Sequence, residues 1–137
     1  MKIFTTNYKN TFIEVAEDCP ASIGEIPPMK GDNKTIEKLQ FEIISENPYK
    51  FTSNDVLFQV YAIRSDLTKK EYGKARETFF SKSHACFRAS PLTKNYGWGI
   101  HNNSEGKIAC YGVETEEYKK FKNDENLIKA KAMRTKR

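Results

Sequence analysis

The chain is poor in the features that announce a function. Three cysteines are spread over 137 residues with no C-x-x-C spacing, and there are only two histidines. A closed zinc site would need Cys19, Cys86, Cys110 and a histidine to converge from distant segments, so no metal site is expected. No P-loop, G-x-G-x-x-G, G-x-S-x-G or H-E-x-x-H occurs, so no nucleotide cofactor or common hydrolase signature is present and no cofactor is expected. No apolar run approaches the ~18 residues of a membrane span. The N-terminus, MKIFTTNYKN, has no apolar stretch ahead of a cleavage site, which argues against a secretory signal. Sparse, unpaired cysteines suit a reducing compartment, and a cytoplasmic location is expected.

What is present is a globular composition: 38% hydrophobic, 30% charged and 12% aromatic residues, enough for one core in one domain. The net charge of +5 is unevenly placed. Residues 119–137 hold eight basic and two acidic residues, leaving fifteen and sixteen in residues 1–118. A neutral body with a basic end argues against sequence-specific nucleic-acid binding and leaves the tail for non-specific phosphate contacts. The domain is placed at residues 1–124, with 125–137 as a basic, mobile C-terminal tail.

Periodicity predicts an α+β fold in the order β-α-α-α-β-β-β-α, an antiparallel sheet of about four strands with helices on one face. TFIEVAE (11–17) reads as a strand and the Pro-, Gly- and Asx-rich 18–33 stretch as a long loop. KTIEKLQFEIISE carries Ile36, Leu39, Ile43 and Ile44 on one helical stripe, with Asn33 as N-cap and Pro48 beyond its end. SNDVLFQVYAIR, capped by Ser53, reads as a helix; its interior from Val56 to Ile63 is apolar almost all round, so a buried strand is the alternative for residues 54–64. DLTKKEYGKARETFFSK reads as a helix capped by Asp66 or Thr68. ACFRAS, YGWGIH and KIACYGVE read as strands, PLTKN as a loop, NNSEG as a hairpin turn and TEEYKKFKN as a closing helix.

The densest chemistry lies in CFRASPLTKNYGWGIH (86–101). Arg88 offers a planar fork for carboxylate or phosphate and Lys94 a point charge. Ser90, Tyr96 and His101 add hydrogen-bonding groups, and Trp98 a flat apolar surface. Gly97 and Gly99 leave one strand face bare, for a packed helix or for a ligand. Arg88, Ser90, Lys94, Tyr96, Trp98 and His101 are therefore the candidate site, closed by the 18–33 loop. They point to a binding module for a small anionic molecule or peptide acid. An enzyme using Cys19 or His101 as nucleophile or acid/base is the alternative, and non-specific nucleic-acid binding through the tail is the third reading. His84, in Ser-Lys-Ser-His-Ala, reads as exposed.

The segments TTNYKNTFIEVAEDCP, NPYKFTSNDVLFQVYAIR, AR-x-x-FFSK and CFRASPLTKNYGWGIH resemble a family of uncharacterised small cytoplasmic bacterial proteins. The resemblance spans roughly residues 4–118 and implies a single-domain protein of this size. It implies no activity, cofactor or catalytic residue. The order of helices before sheet also looks loosely like small α+β proteins of the double-wing DNA-binding kind.

Overall fold

A computed structural model describes residues 4–135 of the chain. Its fold is α+β, built on a four-stranded sheet in the order β3-β2-β1-β4. β1 is Thr11–Glu14. β2 (Trp98–Asn102) and β3 (Ile108–Gly112) form the expected hairpin. Its turn is shaped by Gly106 at φ 79° and by Asn103, whose side-chain oxygen accepts the Glu105 and Lys107 N–H groups, each at 2.9 Å.

β1 runs antiparallel to β2. The fourth strand, β4 (Ile128–Lys131), runs parallel to β1, so the sheet is mixed rather than antiparallel. No element was expected after residue 124. The Ile128–Lys129–Ala130–Lys131–Ala132 stretch has the two-residue period of a strand, but its charge reads as a solvated tail. Beyond β4, Ala132 is buried and the Met133 N–H donates to the Arg88 carbonyl (2.8 Å).

α1 (Ile36–Glu46) is capped by Thr35, whose hydroxyl accepts the Lys38 N–H, rather than by Asn33. α2 (Ser53–Arg64) settles the helix-or-strand ambiguity as helix. Its cap is Thr52, one residue before Ser53. The Thr52 hydroxyl accepts the Asp55 N–H (3.2 Å), and the Asp55 carboxylate accepts the Thr52 N–H (3.0 Å). The ambiguous pattern has a packing cause. Val56 belongs to the main core against the sheet, while Phe58 and Ala62 belong to a second cluster with Phe80. A helix buried on two sides loses its single apolar stripe.

Thr68 begins a 3-10 turn that leads into α3 (Tyr72–Phe79). Residues 86–94, expected as strand then loop, are instead a 3-10 turn at Phe87–Ala89 followed by the short helix α4 (Pro91–Lys94). Ser90 caps α4 and proline takes its first position, where its missing N–H costs nothing. α5 (Glu116–Lys122), capped by Thr115, connects β3 to β4.

The main core lies on one face of the sheet, where Ile13, Ile100 and Ile108 meet Ile44, Val56, Phe87 and Leu92. α5 packs against the opposite face through Tyr118 and Phe121, so helices cover both faces and not one.

Candidate functional site

The six residues singled out from sequence divide among different surroundings. The Arg88 Nε–H donates to the Lys131 carbonyl at 2.8 Å, tying the 3-10 turn to β4. Lys94 ends α4, half-buried. The Tyr96 carbonyl accepts the Glu25 N–H (2.8 Å), and the Trp98 indole N–H donates to the Glu25 carbonyl (2.8 Å). The 18–33 loop thus lies directly on the Tyr96–Trp98 segment. Trp98 packs on Phe41 at 4.9 Å, whereas His101 is on the other face of β2. Ser90, alone of the six, lines a cleft described below.

The glycines follow the same logic. Gly97, at φ 78°, would place a Cβ against the Ile23 carbonyl oxygen, so the loop claims its space. At Gly99 a Cβ would come within 2.6 Å of the Tyr118 ring and 2.7 Å of the Phe12 ring. The bare strand face expected from sequence is therefore filled by loop and helix.

His101 sits in a chain of polar rings. A hydrogen bond of 2.7 Å joins its Nδ1 to the Tyr49 hydroxyl, and one of 2.8 Å joins the Tyr49 and Tyr111 hydroxyls. Phe121 stacks on the imidazole at 4.1 Å. Burial holds the His101 pKa below its ordinary value, and the nearby Asp124 carboxylate opposes that shift. Burial, then the bond to Tyr111, pushes the Tyr49 phenol far up. Tyr49 has the left-handed φ of 59°, a strained conformation for a non-glycine residue, and its N–H donates to the Ile108 carbonyl at 2.9 Å. The Cys19 thiol faces the Ala21 carbonyl, and Tyr118 is close by. Burial raises the Cys110 thiol to about 12, as befits a cysteine within a strand against the core.

The cleft that Ser90 lines has a volume of about 520 Å³ and lies between α1, α2, the end of α3 and residues 84–91. Its walls are mainly apolar, from Ile36, Leu57, Val60, Tyr61 and Phe79. Polar groups interrupt them, with Ser65 and Ser90 beside Gln40, Arg64, His84 and Cys86. Gln40, only 4% exposed, lies among them, and its side-chain oxygen accepts the Ser90 O–H at 2.8 Å. With the oxygen so engaged, the Gln40 NH₂ is left without a partner among the described residues. Arg64 is exposed at the end of α2, and no described carboxylate pairs with it. The Cys86 thiol is half-buried and 3.4 Å from the Tyr8 hydroxyl, a contact that raises the Tyr8 pKa. His84 is half-buried too, not exposed as expected. It stacks on Phe79 at 3.7 Å and hydrogen-bonds the Phe79 carbonyl at 2.7 Å.

Most of the cleft escaped the sequence reading because its residues come from three helices. One signal was available. Gln40 stands four residues after Ile36 and one after Leu39, inside the apolar stripe of α1, where a polar side chain is out of place unless it is hydrogen-bonded.

Residues 3–137 match the family of unknown function DUF6157. The chain belongs to that family. No curated protein matches the chain, and no solved structure does. Membership covers residues 3–137 and brings no activity with it. Among the described residues, no helix is long and apolar enough to cross a membrane, and no group of three or more His, Cys, Asp or Glu is arranged to hold a metal ion.

Proposed function

We propose that this protein is a small bacterial cytoplasmic binding module that holds an organic acid with an apolar body in the α1/α2 cleft. The stretch from Phe79 to His101 would then be the family's shared motif, with Ser90 as its contribution to the site. The observation that carries this reading is Gln40. It is 4% exposed, its carbonyl end is held by Ser90, and its NH₂ end reaches solvent at the cleft, where a ligand acceptor would take the place of water. Arg64 adds an unpaired guanidinium, which suits a carboxylate. The volume falls within the ~300–1,000 Å³ range of small-molecule sites. Three free cysteines agree with a reducing cytoplasm. At the C-terminal end, Lys131 and Arg134 reach toward Glu17, which diminishes the basic surface available to nucleic acid.

The test is a titration of the ¹⁵N-labelled chain with benzoate, followed by amide shifts. Shifts grouped at Gln40, Tyr61 and Ala89, weakened about tenfold by Arg64→Gln, support the reading. An absence of shifts, or shifts confined to residues 94–101, overturns it.

A further inference from the structure

We propose that the α1/α2 cleft selects a flat aromatic carboxylate that also carries a hydrogen-bond donor, and that His84 reads the donor. The inference rests on the binding reading above and deepens it to a ligand class. Its starting point is one atom pair. His84 Nε2 lies 2.7 Å from the Phe79 carbonyl oxygen. A carbonyl oxygen only accepts, so Nε2 carries the hydrogen. In the neutral ring Nδ1 is then a bare acceptor, and it has no partner among the described residues. A 180° flip of the ring would keep the Phe79 stack, at 3.7 Å and 10° between planes, but would give up the bond to the Phe79 carbonyl.

The cleft is bordered by Gln40 with its N–H donors, by the Arg64 cation and by His84, beside Ser65, Cys86 and Ser90. A simple fatty acid satisfies the first two and leaves the third empty. The wall that carries His84 is aromatic, with Tyr61 and Phe79 rings 4.9 Å apart and Phe79 stacked in turn on the imidazole. Flat rings fill such a wall better than flexible chains do and lose less conformational freedom on binding. A hydroxylated aromatic acid meets all these requirements, its carboxylate taken by Arg64 and Gln40 and its O–H by His84 Nδ1.

The experiment is calorimetry of the full chain at mildly alkaline pH with benzoate, cyclohexanecarboxylate and the three positional isomers of hydroxybenzoate. At least one hydroxybenzoate is expected to bind about tenfold more tightly than benzoate, and benzoate more tightly than cyclohexanecarboxylate. His84→Phe keeps a ring on Phe79 and removes the acceptor, so it should abolish the hydroxyl preference. If benzoate binds and no hydroxybenzoate exceeds it, or if His84→Phe retains the preference, the role of His84 is overturned while the binding cleft stands. If none of the five acids binds, the cleft reading itself falls. Should His84→Phe fail to fold, ¹H–¹⁵N spectra of the wild-type imidazole decide the matter. The Nδ1 resonance must move with the preferred hydroxybenzoate and stay put with benzoate; equal movement with both overturns the proposal.

Discussion

The two faces of the sheet are built on different principles. One is an aliphatic layer in which Ile13, Ile100 and Ile108 interlock with Val56, Leu92 and Phe87. The other is an aromatic and polar layer under a single seven-residue helix, where Phe12 meets Tyr118 edge-on at 5.0 Å and His101 lies between Tyr49 and Phe121. The first resists change through volume and close packing. The second depends on a few ring contacts and hydrogen bonds, which makes it sensitive to a single added carbon or proton. The contrast also explains the glycine at position 99. It lies on the thin face because Tyr118 must come close enough to donate its O–H or accept there, and its hydroxyl does accept the Val15 N–H at 3.0 Å.

The largest effect should come from the aliphatic face. Leu92→Ala empties a fully buried site and is expected to cost about 3 kcal/mol in urea unfolding, with loss of protection across both faces. A cost below ~1 kcal/mol would mean that α4 is peripheral to the core. Next is the sheet edge. Ending the chain at Asn126 removes β4 from β1 and takes away Ala132, so the melting temperature should fall by more than ~8 °C. An unchanged melting temperature would return residues 127–137 to the status of a dispensable tail.

On the thin face, Gly99→Ala should cost about 2 kcal/mol, because the new Cβ meets the Tyr118 and Phe12 rings. Hydrogen exchange sharpens the comparison: α5 amides should lose protection while α1 amides keep theirs. The smallest effect concerns His101. Its folded-state pKa is lowered by burial, so the folded form resists protonation and stability is lost as pH falls below the unfolded value of ~6.5. Unfolding measured above and below that value should show a drop that His101→Gln lacks. An equal drop in both proteins would assign the pH dependence to other groups.

Particular residues show how much was legible beforehand. The 98–112 hairpin was readable because alternation and a Gly-containing turn are local signals, and the observed pairing of Trp98 with Gly112 through Asn102 with Ile108 follows them. α1 was readable from one apolar stripe. The 86–94 segment was misread because alternating apolar residues in CFRAS imitate a strand. Ser90 followed by Pro91 is a helix-start signal that points the other way, and it prevailed. β4 was missed because lysines on alternate positions look solvated, although an edge strand can carry them on its outer face. As for the site, Ser90 was named, but the residues around it were not. Arg64 follows Gln40 by 24 residues and His84 follows Arg64 by 20, and no spacing rule joins them.

The amino-acid sequence by itself determined the α+β class, most helices, the hairpin and the absence of common cofactor signatures, since periodicity, caps and turns act over a few residues. Tertiary structure alone decided that β4 pairs parallel to β1, that Tyr118 fills the space over Gly99, and that Gln40, Arg64 and His84 border one cleft. Those outcomes depend on which surfaces come together to exclude water, and that is a property of the packed chain rather than of any short stretch of it.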